Sequence, residues 1–189
     1  MKKLISFFLV LVLMLMVSIP AFALETTDAA DYNCDIEHVS EAVYMENLNE
    51  GIVVYEKDAQ KRMYPASLTK IMTYIVVIEN IPDFETTSIY IEPGSFDGLD
   101  PESSVMGLKD YVGQEFSVLH LLYGMMVPSG NDAAWVLAKY VGNGRVENFV
   151  ELMNQKAGQL QCSGTHFENP HGLYDANHYS TAYDIALMT

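Results

Sequence analysis

Cysteine is scarce in this 189-residue chain: Cys34 and Cys162 are the two present. Two distant thiols in an otherwise ordinary composition do not make a disulfide framework, so a small disulfide-built fold is excluded and both are expected to be unpaired. Basic residues are also few, 10 against 25 acidic ones, and the formal net charge is −15. A surface that acidic repels phosphate backbones and anionic lipids, which makes nucleic acid a poor partner. Internal repeats and low-complexity stretches are absent too, which leaves out solenoids and disordered arrays.

What is present begins with an export signal. Lys2 and Lys3 precede an apolar run from Leu4 to Ile19, then Pro20 and Ala21-Phe22-Ala23, with small residues where a signal peptidase needs them. The alternative is a retained anchor, for which the run is slightly short, since a spanning helix wants about 20 apolar residues. Residues 1–23 are expected to be a cleaved signal peptide, 24–40 a polar lead-in, and 41–189 one domain. Cleavage removes two lysines and no acid, leaving 8 basic against 25 acidic residues, a net of −17.

Along the domain, residues 41–45 and 51–55 read as a β-hairpin with a longer loop. Pro65 stops extended structure, and Ala66-Ser67 opens a helix to about Asn80 whose apolar residues surround most of its circumference, as in a buried central helix. From Thr86 to Gly113, Gly, Pro and Ser surround Ile89-Tyr90-Ile91 and Val105-Met106-Gly107-Leu108, which suggests short strands and turns. Ser117 is placed as the cap of a helix 118–127. Further helices follow at 132–141 and 145–160, then a loop at 164–173 and a last helix from Ser180.

Chemistry enters at Ser67-Leu68-Thr69-Lys70. A serine and a lysine three apart share one helix face, so hydroxyl and amine meet at hydrogen-bonding range, a nucleophile with its base. In most helices Ser-x-x-Lys is only a cap and a solvated charge. Here the helix is nearly all apolar, where a lysine without a task is rare. Burial lowers its pKa toward the range of a proton acceptor. Ser129-Gly130-Asn131, 59 residues after Lys70, could bring a second hydroxyl and a carboxamide to the site, although those residues are also the ordinary ones of a tight corner. Asp132 reads as a plain helix-start charge. The histidines His38, His120, His166, His171 and His178 match no helix-borne ligand pair, and no metal is expected. Trp135 is read as packing. Lys156-Ala157-Gly158 falls within an amphipathic helical run, not a strand.

Together these residues resemble the low-molecular-mass penicillin-binding proteins of the D-alanyl-D-alanine carboxypeptidase family. The likeness includes Tyr64-Pro65-Ala66-Ser67-Leu68-Thr69-Lys70, Val127-Pro128-Ser129-Gly130-Asn131-Asp132-Ala133-Ala134, Asn169-Pro170-His171-Gly172-Leu173 and Ser180-Thr181-Ala182-Tyr183-Asp184, in order and spacing. It runs from about residue 41 to the end. The resemblance implies an α+β, β-lactamase/transpeptidase-like fold with a helical cluster against an antiparallel sheet. It implies Ser67 as acylated nucleophile, Lys70 as general base, Ser129 as proton shuttle and Asn131 as holder of the substrate amide. The implied substrate is a peptidoglycan stem peptide ending in D-Ala-D-Ala, with β-lactams as covalent inhibitors, no cofactor, and a place outside the membrane. Glycine at position 130 resembles the carboxypeptidases more than class A β-lactamases, which usually carry Ser-Asp-Asn.

The sequence also departs from that family. No Lys-Thr-Gly triplet follows in the 189 residues. In relatives that strand anchors the terminal carboxylate and gives one oxyanion donor, whose loss typically costs about 10²–10³ in turnover. The reading is therefore an incomplete catalytic domain lacking its C-terminal strands, poorly active and marginally stable, with an open edge and an uncovered apolar face at the hairpin. Two other functions stay open. A non-catalytic fragment is one, and a β-lactam hydrolase with Glu147, Glu151 or Glu168 activating water is the other.

Overall fold

The computed structural model describes residues 39–101 and 103–189. The expected signal peptide, nearly all of the lead-in, Cys34 and His38 lie outside the described residues. Within them, no helix is long and apolar enough to cross a membrane.

The hairpin forms one to two residues later than the sequence indicates. Strand β1, Val43–Asn47, pairs antiparallel with β2, Ile52–Lys57, from Val43 opposite Lys57 to Asn47 opposite Ile52, with a bulge at Met45/Glu46. Gly51, at φ +64, closes the turn and donates its N–H to the Asn47 carbonyl. That left-handed conformation suits glycine. Among the described residues this sheet has two strands, and Met45 and Val53 are exposed. The face is partly covered, because the Tyr44 ring meets Tyr183 of the last helix edge-on at 5.2 Å.

A 3-10 turn at Ala66–Leu68 leads into α1, Thr69–Asn80. Helix α2, Val118–Met126, starts where Ser117 accepts from the His120 N–H, as the sequence places it. Helices α3, Asn131–Val141, and α4, Val146–Gln159, follow. The last helix, α5, is Ala182–Leu187 rather than starting at Ser180, with Thr181 capping the Asp184 N–H.

Between α1 and α2 lies a second small sheet of β3, Ser88–Tyr90, and β4, Glu115–Ser117. Here the structure corrects one expectation. Residues 105–108 are not a strand, and the strand that pairs with β3 is 115–117. The amides of Met106, Gly107 and Leu108 donate to the carboxylate of Asp132 instead of to a neighbouring strand, and a 3-10 turn, Leu108–Tyr111, follows Gly107 at φ +95.

The core lies where α1 meets α2, α3 and α4. Met72, Val76 and Val77 of α1 pack with Leu121 and Met125, Leu137, Phe149 and Met153, all at 2% exposure or less. Each large side chain removed from water there contributes about 1.5–3 kcal/mol. On α3, Ala133, Ala134 and Ala138 are buried, and their small size keeps that helix near α1. The long strap from Gly164 to Thr181 then crosses back over α1.

Candidate active site

Ser67 sits in the turn just ahead of α1 and is exposed, so its hydroxyl can be reached from solvent. The residue before it, Ala66, has φ +48, and Ser129 has φ +61. Left-handed backbone costs a non-glycine residue roughly 1–2 kcal/mol, and such strain gathers where a side chain must be aimed. Ala66 is held there by the strap. Gly172, at φ +91, lies so close that an added Cβ would stand 1.8 Å from the Ala66 carbonyl oxygen.

Three residues on, Lys70 is 2% exposed. Its Nζ lies 3.2 Å from Ser67 Oγ, 2.6 Å from Asn131 Oδ1 and 3.0 Å from the His171 carbonyl oxygen. Three acceptors match the three N–H bonds of an ammonium, and none of them is a carboxylate. With no counter-charge among the described residues, burial dominates and pushes the lysine pKa down to about 8. A few per cent to a tenth of the amine is then neutral at pH 7, far more than for a solvated lysine. The neutral amine can accept the Ser67 proton across the same 3.2 Å.

Asn131 opens α3 and is 5% exposed; its backbone N–H donates to the Ser104 carbonyl. With Oδ1 committed to Lys70, Nδ2 is the atom left to meet a ligand. Ser129, two residues before, is half-buried at the same corner, and its hydroxyl makes no hydrogen bond among the described residues. So the structure joins Ser67, Lys70 and Asn131 directly, and brings Ser129 to the neighbouring corner without a hydrogen bond to them.

Asp132 is more than the helix-start charge it looks like in the sequence. It is 2% exposed and accepts from the amides of Met106, Gly107, Leu108 and Ala133, at 2.9–3.0 Å. That carboxylate staples the 104–108 loop to the Ser129–Asn131 corner. The strap is fastened equally firmly: Thr73 Oγ1 donates to the Pro170 carbonyl at 2.6 Å, and Asn169 Oδ1 accepts from the His171 and Gly172 amides. Behind them, Trp135 stacks on the His171 ring at 5.7 Å and donates to the Asp97 carbonyl.

Glu147, Glu151 and Glu168 line a different cavity of about 460 Å³, together with Asp100, Trp135 and His171. Neither Ser67 nor Lys70 lines it, and none of the three glutamates has a hydrogen bond to either. Lys156 is on α4, ion-paired with Glu79 at 2.6 Å, in accord with its helical reading. Cys162 is buried and unpaired, its pKa raised to about 11 by burial and the nearby Asp184. Among the described residues no group of three His, Cys, Asp or Glu could hold a metal.

Residues 26–189 match the family described as D-alanyl-D-alanine carboxypeptidase. The D-alanyl-D-alanine carboxypeptidase DacF of Bacillus subtilis (strain 168) is 33% identical over 197 residues, covering 100% of this chain and 47% of the relative. DacD of Escherichia coli (strain K12) is 37% identical over 158 residues, covering 80% of this chain and 40% of its own length. Among solved structures, the D-alanyl-D-alanine carboxypeptidase DacD of Francisella tularensis superposes with a TM-score of 0.72 at 39% identity, over 81% of this chain and 36% of that one. The Streptomyces K15 DD-transpeptidase gives 0.72 at 33%, over 81% and 61%. The fold is that of these penicillin-binding proteins, and the chain spans less than half the length of the curated relatives it matches.

Proposed function

Since the chain belongs to the D-alanyl-D-alanine carboxypeptidase family, we propose that it carries the acylating half of a serine carboxypeptidase site acting on stem peptides that end in D-Ala-D-Ala. The observation that carries the reading is Lys70, buried with no carboxylate among the described residues paired to it, 3.2 Å from an exposed serine hydroxyl. Neutral Lys70 takes the Ser67 proton as Oγ bonds to the carbonyl carbon of the penultimate D-alanine. The Ser67 N–H, within the 3-10 turn, faces the developing oxyanion. Asn131 Nδ2 donates to the substrate amide. The C–N bond then breaks, Ser129 relays a proton to the departing D-alanine amine, and water hydrolyses the acyl ester to restore Ser67. β-Lactams acylate the same oxygen, and no cofactor takes part.

The substrate lies outside the cytoplasmic membrane, which agrees with export through residues 1–23 as a cleaved signal and with residues 41–189 as the catalytic portion.

Incubation with a fluorescent penicillin followed by denaturing electrophoresis tests the reading. A stable label on the wild type that is missing in Ser67→Ala supports it. Rapid turnover of the label points to a β-lactam hydrolase, and no label at any concentration to a non-catalytic chain.

A further inference from the structure

Helix α1 turns a polar ladder toward the strap. Thr69 and Thr73 are fully buried and Lys70 nearly so, in a helix otherwise packed with Met72, Val76 and Val77. Each rung meets one group of the strap. Lys70 reaches the His171 carbonyl, Thr73 the Pro170 carbonyl, and Thr69 Oγ1 lies 2.8 Å from Nε2 of His178. Only the middle rung belongs to the chemistry proposed above.

His178 is 2% exposed and its side-chain hydrogen bonds go to Thr69 and Glu168, not to Ser67 or Lys70. Its Nδ1 accepts the Glu168 N–H at 3.1 Å, so the proton of the neutral ring sits on Nε2, aimed at Thr69 Oγ1. Burial keeps the ring neutral by lowering its pKa to about 4. The edge of the ring packs on Phe167 at 5.6 Å, and its backbone N–H donates to the Asp175 carbonyl. One imidazole thus ties two points of the strap, residues 168 and 178, to Thr69, the residue just before the lysine.

We propose that His178 is a positioning residue for acylation: through Thr69 and the Glu168 amide it sets the strap so that the His171 carbonyl holds the Lys70 amine toward Ser67. This rests on the Ser67–Lys70 reading above. A histidine present only to fill the core would need packing and satisfied nitrogens anywhere, whereas this one spends both nitrogens on the strap and on the catalytic turn. A side chain placed an ångström wrong far from the reacting atoms can cost about 10²-fold in rate.

The test is the time course of acylation by a fluorescent penicillin, in the protein as its own gene produces it. His178→Asn keeps an acceptor for the Glu168 amide and loses the link to Thr69. Thr69→Val removes the same link from the other side with little change in shape. Each is expected to slow the acylation rate constant by about tenfold or more, with the final labelled fraction and the penicillin concentration for half-maximal rate unchanged. The double variant is no slower than either single one, because both break one bond. His178→Gln, whose amide reaches Thr69, recovers part of the rate. Should His178→Asn fail to fold, Thr69→Val carries the same readouts. An unchanged rate constant in these variants overturns the proposal, as does a smaller labelled fraction at an unchanged rate constant, the mark of a purely structural residue. A wild type that takes no label overturns the function itself, and this inference with it.

Discussion

The turn around Ser67 and the hairpin β1–β2 lie a few residues apart in sequence and are built in opposite ways. At the turn, polar side chains are buried and answered: Thr69, Lys70, Thr73, Asn131 and Asp132 have hydrogen-bond partners drawn from segments 24 to 109 residues away. In the hairpin no residue of either strand is fully buried; the strands pair through their backbones, and Tyr44 meets Tyr183 of the last helix. Beside it runs a groove of about 420 Å³ bordered by Tyr44, Met63, Leu68 and Ile185. The difference shows where geometry is over-determined. A buried polar network tolerates one arrangement, because each broken bond leaves a desolvated group without a partner.

That contrast breaks first at Gly172. Gly172→Ala drives a Cβ to 1.8 Å from the Ala66 oxygen at a φ of +91, so chemical denaturation is expected to show a loss of about 4 kcal/mol or more. A loss under 1 kcal/mol would mean that the strap is not clamped on the serine turn. Acid acts on the same region. Burial is the main cause that lowers both His171 and His178 from 6.5 to about 4. The unfolded chain therefore takes up those protons first, and stability declines as pH falls from about 6.5 to about 4, by up to about 1.4 kcal/mol per pH unit for each ring. Below that window the two rings cost no more. Denaturation midpoints across the range, repeated in His178→Gln, separate this loss from the titration of carboxylates. The hairpin gives the smallest response: Val53→Thr, at a 39% exposed position, changes stability by about 0.5 kcal/mol or less.

The helices and the Ser-x-x-Lys pair were legible in the sequence for local reasons. Helix periodicity, Ser117 as a cap, Pro65 and Pro128 as stops, and one lysine in an apolar run are read within a few residues. The misreadings have one cause, partners far away in the chain. Asp132 looks like a helix-start charge until the amides of 106–108 arrive from 24 to 26 residues upstream. The same event turned 105–108 from a strand into a stapled loop, and left 115–117 to pair with β3. Thr69, Thr73 and His178 carried no local signal beyond being polar where the core should be. That Thr69 and Thr73 interrupt the apolar face of α1 beside Lys70 was the clue available.

The central claim is that Lys70, buried away from water, is the base that activates Ser67. Measuring the rate of Ser67 acylation by a β-lactam against pH tests it most directly. The account predicts a rate that climbs with pH and levels off near 8, where burial has brought the Lys70 pKa, and a climb that disappears in Lys70→Met along with most of the rate. A profile that keeps rising toward the ordinary lysine range near 10.5, or one unaltered by Lys70→Met, would contradict it.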